Sequence, residues 1–289
     1  MKGIILAGGS GSRLWPITAS LSKQMLPVYD KPLVYYPLGT LMLSGIRDIL
    51  IITTPKDQDQ FRSLLGDGSN FGISISYETQ DRPAGIAEAF IIGREFIGSS
   101  NVCLILGDNI FYGQGLGQQL QTAESNEFAN IFAYSVVDPQ RYGVVEFDST
   151  GKIQSIEEKP PKPKSHFVIP GLYFFPNNVV EIVKGIIPSD RGELEITDLL
   201  KEYLKQSSLR CQTLGRGTAW FDTGTVQSLN DASNFLRVLD EQQGIKICVP
   251  EEIALHMGYI SEDDLRESIN GYPRNSYSAY LTSLIIDRQ

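Results

Sequence analysis

An apolar run, Gly3 to Ala7, empties directly into Gly8-Gly9-Ser10-Gly11-Ser12-Arg13-Leu14. Glycines let a backbone turn sharply and bring its N–H groups close to a phosphate. The same residues also suit a tight strand-to-helix turn with no ligand. Two familiar phosphate loops are excluded. A GxGxxG fingerprint starting at Gly9 would end on glycine or alanine, and here it ends on Leu14. The Walker loop would close with GK[ST], which is missing. What remains is a glycine loop of another type, with Arg13 placed to neutralise charge. Further on, Ser22-Lys23-Gln24 supplies a lysine that can hold a triphosphate as a point charge. Taken alone, Lys23 reads as a solvated surface lysine, the usual fate of lysines, and the chemical reading gains only from the motifs around it.

Two aspartates stand at the ends of strand-like runs. Asp108 follows the apolar run Val102 to Leu106, and Asp222 follows Thr218 to Phe221. Open parallel sheets bind ligands at the carboxyl ends of their strands. A pair of carboxylates there can hold a hard divalent cation, with water and phosphate oxygens completing the shell. Each aspartate reads equally well as a helix N-cap. Glu157-Glu158-Lys159-Pro160 closes an alternating segment. Lys159 there can bind a sugar phosphate and Glu158 a sugar hydroxyl, or both can form an exposed hairpin end.

The elements that must carry these residues alternate between strand and helix patterns. Strands are expected at Gly3 to Ala7, Asp48 to Thr54, Ile73 to Tyr77, Val102 to Leu106 and Asn130 to Val137. Helices are expected over 33–45, 84–96 and, after Asp108-Asn109, near 116–123. Continuous apolar strands imply a mainly parallel sheet covered on both faces. Alternating runs at 142–147 and 152–157 then predict a hairpin across Ser149-Thr150-Gly151. Val168 to Phe175 reads as one strand and 211–222 as another return strand. Helices are expected over 178–185, 195–204 and 226–239. The last residues, 243–289, read as a helical extension for packing or oligomerisation.

Composition bounds the function. The formal net charge is −9, which argues against broad nucleic-acid or anionic-membrane binding. Cations are nevertheless concentrated at the start: Lys2, Arg13 and Lys23 fall in a stretch, Met1 to Tyr29, without an acidic residue. Three scattered cysteines and two histidines make a zinc site improbable. A reducing cytoplasm is the expected compartment. Neither a signal peptide nor a membrane span of roughly 20 apolar residues is expected.

Together the motifs resemble those of the sugar-nucleotide pyrophosphorylases, in the pattern of the bacterial glucose-1-phosphate thymidylyltransferase family. The resemblance runs through Lys2 to Gly9 with Gly11 and Arg13, Ser22-Lys23-Gln24, Pro27 to Pro32, and Gly107 to Gly113. It continues through Arg141 to Asp148, Glu157 to Pro160, Arg191 to Asp198, Ala219 to Thr225 and Cys248 to Glu252. Motifs this long, in this order, are very specific.

The resemblance implies a Rossmann-like α/β fold: a mixed, mostly parallel central sheet flanked by helices, with a small sugar-binding subdomain. It divides the chain into a core over 1–242 (nucleotide part about 1–137, sugar part about 138–225) and the extension 243–289. It implies transfer of a thymidylyl group from dTTP to glucose 1-phosphate, dependent on Mg²⁺, by a homotetramer. Gly8, Gly11, Ser12 and Arg13 would cradle the triphosphate beside Lys23, and Gln24, Gln80 and Gly85 would read the thymine. Asp108 and Asp222 would hold Mg²⁺. Asn109, Tyr142, Gly143, Glu158, Lys159, Ile169 and Arg191 would surround the sugar phosphate. The catalytic set implied is Arg13, Lys23, Asp108, Lys159 and Asp222. Pro170 departs from the family pattern and removes a backbone donor beside the sugar pocket. The rival readings are the same reaction with UTP or another sugar 1-phosphate, and a non-catalytic nucleotide sensor on the same fold.

Overall fold

A computed structural model describes residues 1–9 and 11–286. Ser10 of the glycine loop and residues 287–289 of the extension lie outside the described residues. β1 (Lys2–Ala7) leads through the glycine loop to a short ribbon, β2 (Pro27–Val28) with β3 (Lys31–Pro32). α1 (Tyr35–Leu43), β4 (Asp48–Thr53), α2 (Gln58–Leu65) and β5 (Ser74–Thr79) complete two crossovers. α3 (Glu88–Ile92) and α4 (Arg94–Ile97) precede β6 (Val102–Leu106) and β7 (Asn109–Tyr112). After α5 (Leu116–Gln121) and β8 (Ala129–Ser135) comes the hairpin of β9 (Gly143–Phe147) and β10 (Ile153–Glu158). β11 (Phe167–Val168), β12 (Leu172–Phe175), α6 (Val179–Lys184) and α7 (Ile196–Lys205) follow. β13 (Leu209–Thr213) and β14 (Ala219–Asp222) lead to α8 (Val226–Gln243), α9 (Pro250–His256), α10 (Glu262–Asn270) and α11 (Ser276–Ile286).

The main sheet has the order β10-β9-β11-β8-β12-β6-β1-β4-β5, with β13 on β8. β1 lies between β4 and β6 and is parallel to both, and β5 continues the parallel set. Antiparallel pairing enters at β12, which joins β6 to β8. The sheet is therefore mixed, with a parallel core flanked by helices. Burial on both faces explains the unbroken apolar run of β1. Ile4 and Leu6 pack with Phe90, Val179 and Leu199 on one side, and Ile5 and Ala7 with Leu38 and Leu41 on the other.

Several elements differ from the sequence reading. The expected helix over 84–96 begins only at Glu88, because Gly85 must pass Leu194 in a left-handed conformation (φ +103°), and it breaks at Gly93. Val168 to Phe175 is two strands. Pro170 has no N–H to give a ladder, and the Gly171 N–H is diverted to Asn109 Oδ1 (3.2 Å). The return strand over 211–222 is also two strands, β13 in the main sheet and β14 in a separate pair with β7. β7 itself was not anticipated. Among the described residues it pairs only with β14, a partner more than a hundred positions away in sequence. Among the described residues, no helix is long and apolar enough to cross a membrane.

Candidate active site

β6 carries the chain to Asp108 under tight control. The Leu106 N–H donates to the Gly171 carbonyl (2.8 Å) and the Gly107 N–H to the Leu6 carbonyl (2.9 Å). Asp108 therefore emerges at the carboxyl end of the sheet, beside the glycine loop that leaves β1. The antiparallel β7–β14 ladder pairs Asn109 with Asp222, which brings the two aspartates to one place. The Thr223 N–H and hydroxyl both donate to the Asp108 carbonyl, at 3.1 and 2.8 Å, and fix the crossing. Neither aspartate caps a helix. Asp108 opens onto a strand, and α8 is capped by Thr225, whose hydroxyl accepts from the Ser228 N–H at 3.1 Å.

Asn109 is buried, and both ends of its amide are committed. Its Oδ1 accepts from Trp220 Nε1 (2.6 Å) and from the Gly171 N–H. Those partners are donors only, so the amide nitrogen must face Asp108 Oδ1, 2.7 Å away. Lys23 forms an ion pair with the other Asp108 oxygen. Burial works to raise the Asp108 carboxyl, but the Lys23 ammonium and the Asn109 amide outweigh it and hold it below the usual carboxylate range. Asp222 goes the other way: burial and then the Asp108 charge push it up. Two adjacent carboxylates, one destabilised by the other, suit a divalent oxygen-binding cation. Among the described residues no cluster of three or more potential metal ligands exists, so phosphate oxygens and water would supply the remaining positions.

The glycine loop shapes a cavity of about 260 Å³. Gly11 adopts a left-handed conformation (φ +58°), and a Cβ there would lie 2.9 Å from Thr18 Cγ2. Its carbonyl accepts from the Thr18 hydroxyl (2.8 Å) and the Leu14 N–H (2.9 Å). Gly8, Gly11, Ser12, Arg13, Lys23 and Gln24 line this cavity with Asp108. Gln80 and Gly85 do not line it, although Gln80 lies against Gly8, which does. Gln80 Nε2 donates to the Gly85 carbonyl (3.2 Å) and to Glu88 (2.7 Å), and a Cβ on Gly8 would lie 2.9 Å from Gln80 Oε1.

A second cavity, about 240 Å³, opens on the β9–β10 side. Asn109, Tyr142, Gly143, Glu158, Lys159 and Ile169 line it together with Asp222. Lys159 holds a left-handed backbone (φ +41°), uncommon for a residue with a side chain, and pairs with Glu158 at 2.9 Å. Arg13 and Asp108 line both cavities. Arg191 lines neither. Its guanidinium pairs with Glu195 (2.7 Å) and Glu193 (3.3 Å). Sequence reasoning assigned nothing to Arg141, Tyr173, Thr197 or Trp220, which also line the second cavity. Arg141 opens the matching motif Arg141 to Asp148, the signal that could have pointed to it. Trp220 shows its role only through its bond to Asn109.

The fold and this double cavity describe an enzyme of the nucleotidyltransferase class, and comparison with known proteins agrees. The Nucleotidyl transferase family model matches residues 2–238. A glucose-1-phosphate thymidylyltransferase of Neisseria meningitidis is 56% identical over 286 residues, covering 99% of each chain. That of Mycobacterium tuberculosis (strain H37Rv) is 54% identical over 285 residues, again 99% of each. Among solved structures, a Bacillus anthracis protein assigned as a glucose-1-phosphate thymidylyltransferase, in complex with a sucrose, superposes with a TM-score of 0.76. It is 41% identical and covers 82% of this chain and 95% of its own. A UDP-glucose pyrophosphorylase with UDP-glucose shares the fold at 24% identity (TM-score 0.72, 82% of this chain, 98% of its own). The chain belongs to the nucleotidyl transferase family and, within it, to the glucose-1-phosphate thymidylyltransferases.

Proposed function

We propose that the chain transfers a thymidylyl group from dTTP to α-D-glucose 1-phosphate and releases pyrophosphate. The observation that carries this reading is the pair of cavities that meet at Arg13 and Asp108. A triphosphate lies over the glycine loop, and a sugar 1-phosphate lies beside Tyr142, Glu158 and Lys159. A phosphate oxygen of the sugar phosphate attacks the α-phosphorus. A new P–O bond forms, the bond from the α-phosphorus to the bridging oxygen breaks, and that electron pair leaves with pyrophosphate.

The nucleophile is already anionic, so no serine, cysteine or histidine is required. Positioning and charge neutralisation do the work. Arg13, common to both cavities, faces charge on either substrate. Lys23, now paired with Asp108, lies within the triphosphate cavity. Lys159 and Tyr142 hold the sugar phosphate, and Glu158 accepts from a sugar hydroxyl. Gln24 lies on the nucleotide wall and, with Gln80 and Gly85 nearby, reads the thymine. Asp108 and Asp222 would hold Mg²⁺, which supplies Lewis-acid polarisation of the phosphoryl oxygens. Asn109 acts on the reaction by holding Asp108. The working assembly in this reading is a cytoplasmic homotetramer, with 243–289 contributing to packing.

Pyrophosphate release from purified protein with Mg²⁺ and glucose 1-phosphate tests the reading, with dTTP set against UTP, GTP, CTP and ATP. A clear preference for dTTP supports it. A preference for another nucleotide keeps the chemistry and moves the substrate. No release with any of them, from protein that binds dTTP, refutes the glucose assignment and favours another sugar phosphate or a nucleotide sensor.

A further inference from the structure

We infer that Glu88 sets the nucleotide preference by holding the Gln80 side-chain amide in one direction, a positioning role that rests on the proposed reading of thymine by Gln80. An amide presents a donor or an acceptor according to which way it faces, and a base edge tells the two apart. Gln80 Nε2 donates to Glu88 Oε2 (2.7 Å) and to the Gly85 carbonyl (3.2 Å). A carboxylate and a carbonyl only accept, so the amide nitrogen must face them. Gln80 Oε1 is thereby turned toward Gly8, where a Cβ would lie 2.9 Å from it. Gly8 lines the glycine-loop cavity. On that side Gln80 is therefore an acceptor. It matches the N3–H of thymine or uracil and opposes cytosine, whose N3 is itself an acceptor.

The backbone on both sides of this bond is fixed. The Gln80 N–H, just past the end of β5, donates to the Thr53 carbonyl of β4 (2.8 Å). The turn that carries Gly85 toward α3 is clamped on Leu194. The Leu194 N–H donates to the Ala84 carbonyl (2.7 Å), and its carbonyl accepts from the Ala87 N–H (3.1 Å). Glu88 follows, half-buried, as the first residue of α3. Gln24, the other glutamine assigned to the base, has no comparable lock. Its Oε1 accepts from the Ser22 hydroxyl (2.7 Å), and a hydroxyl can donate or accept. Gln24 can turn over and keep that partner, whereas Gln80 cannot. Discrimination at N3 of a pyrimidine thus falls to Gln80, and the direction of Gln80 to Glu88. The Gly85 carbonyl alone is the weaker guide, because its bond is the longer of the two.

The test compares kcat/KM for pyrophosphate release with dUTP and with dCTP, two nucleotides that differ only at the base edge. Wild type should favour dUTP. In Glu88→Gln the side chain keeps its shape yet can accept from or donate to Gln80, so both amide directions are satisfied. The ratio of dUTP to dCTP should then fall roughly 10- to 100-fold. Glu88→Met, which offers no strong acceptor, should move the ratio the same way. Loss of a charge near a triphosphate acts on both nucleotides alike and cancels in the ratio. A ratio unchanged in both variants overturns the inference and leaves the reading of thymine standing. Equal losses for both nucleotides with a lower Tm also overturn it, because they mark a structural role. Gln80→Leu is the control on the reading itself: if it leaves the wild-type ratio intact, Gln80 does not read the base and both fall together.

Discussion

Asn109→Asp isolates the alignment of Asp108, because it changes charge at almost constant shape. One carboxylate oxygen keeps the place of Oδ1 and still accepts from Trp220 Nε1 at 2.6 Å and from the Gly171 N–H at 3.2 Å. The β7–β14 junction therefore loses neither bond. The other oxygen replaces the amide nitrogen, 2.7 Å from Asp108 Oδ1. Two full charges at that separation repel by about 6 kcal/mol at an effective dielectric of about 20. Protonating an ordinary carboxylate at pH 7 costs only about 4 kcal/mol. The pair accordingly keeps one proton at neutral pH, as close carboxylates do elsewhere. Asp108 is then a poorer partner for a cation and for Lys23. Relative to wild type, kcat/KM should fall about 100-fold or more at pH 7 and recover as the pH rises toward about 9. The assay is pyrophosphate release across that range, with thermal unfolding in parallel. A variant whose pH profile runs parallel to wild type refutes the reasoning. So does a loss of Tm that is equal at every pH, which would place the damage in the fold.

Three further substitutions probe other links. Asp108→Asn should lower kcat by on the order of 10²–10³ with an unchanged circular dichroism spectrum; near-normal turnover removes Asp108 from the mechanism. Gly85→Ala places a Cβ 2.3 Å from the Leu194 carbonyl oxygen at φ +103°, and that carbonyl is already held by the Ala87 N–H at 3.1 Å. It should destabilise by about 2–4 kcal/mol and weaken dTTP, seen as a lower Tm and a higher KM; a Tm within about 1 °C of wild type counts against the close packing. Glu251 is raised by burial, against hydroxyls of Tyr277 and Tyr272 that lower it. A carboxyl with a raised folded pKa contributes stability that is complete below the unfolded value and lost as pH rises through the folded one. Glu251→Gln should therefore compare least well with wild type near pH 4 and progressively better toward pH 8; thermal melts showing the opposite trend overturn that assignment.

The parallel core was legible because each of its strands is buried on both faces, so β1, β4 and β6 announce themselves as unbroken apolar runs. The glycine loop and the cations that line its cavity were legible because they follow β1 closely in sequence. What escaped the sequence depends on pairing at long range. β7 is a strand because β14 lies beside it, and the local sequence after Asp108 offers no sign of that partner. The break at Pro170 was readable as a missing donor, yet the use of the Gly171 N–H by Asn109 was not. Asn109 belonged to a matching motif, and its own amide ties β14 and Gly171, the residue before β12, to Asp108. Arg191 matched a motif equally well and stands off the cavity wall in its own ion pairs.

The helix-cap reading of the aspartates is removed by how capping duty is shared. An aspartate just before a helix normally spends its carboxylate on the first N–H groups of that helix. Asp222 lies close enough to α8 to do so, but Thr225 and Ser228 form the capping box instead. Gly224 makes this division possible. A side chain there would put a Cβ 2.9 Å from Asp222 Oδ1 and 3.1 Å from Arg13 Nη2. With hydrogen in that place, the chain turns from β14 into α8 and leaves the Asp222 carboxylate beside Asp108 and Arg13. Thr223 spends its hydroxyl on the Asp108 carbonyl, so the backbone of one aspartate is anchored by the neighbour of the other. The four residues Asp222 to Thr225 thus separate structure from chemistry: threonines meet the needs of the backbone, glycine removes the obstruction, and the carboxylate stays available for a cation.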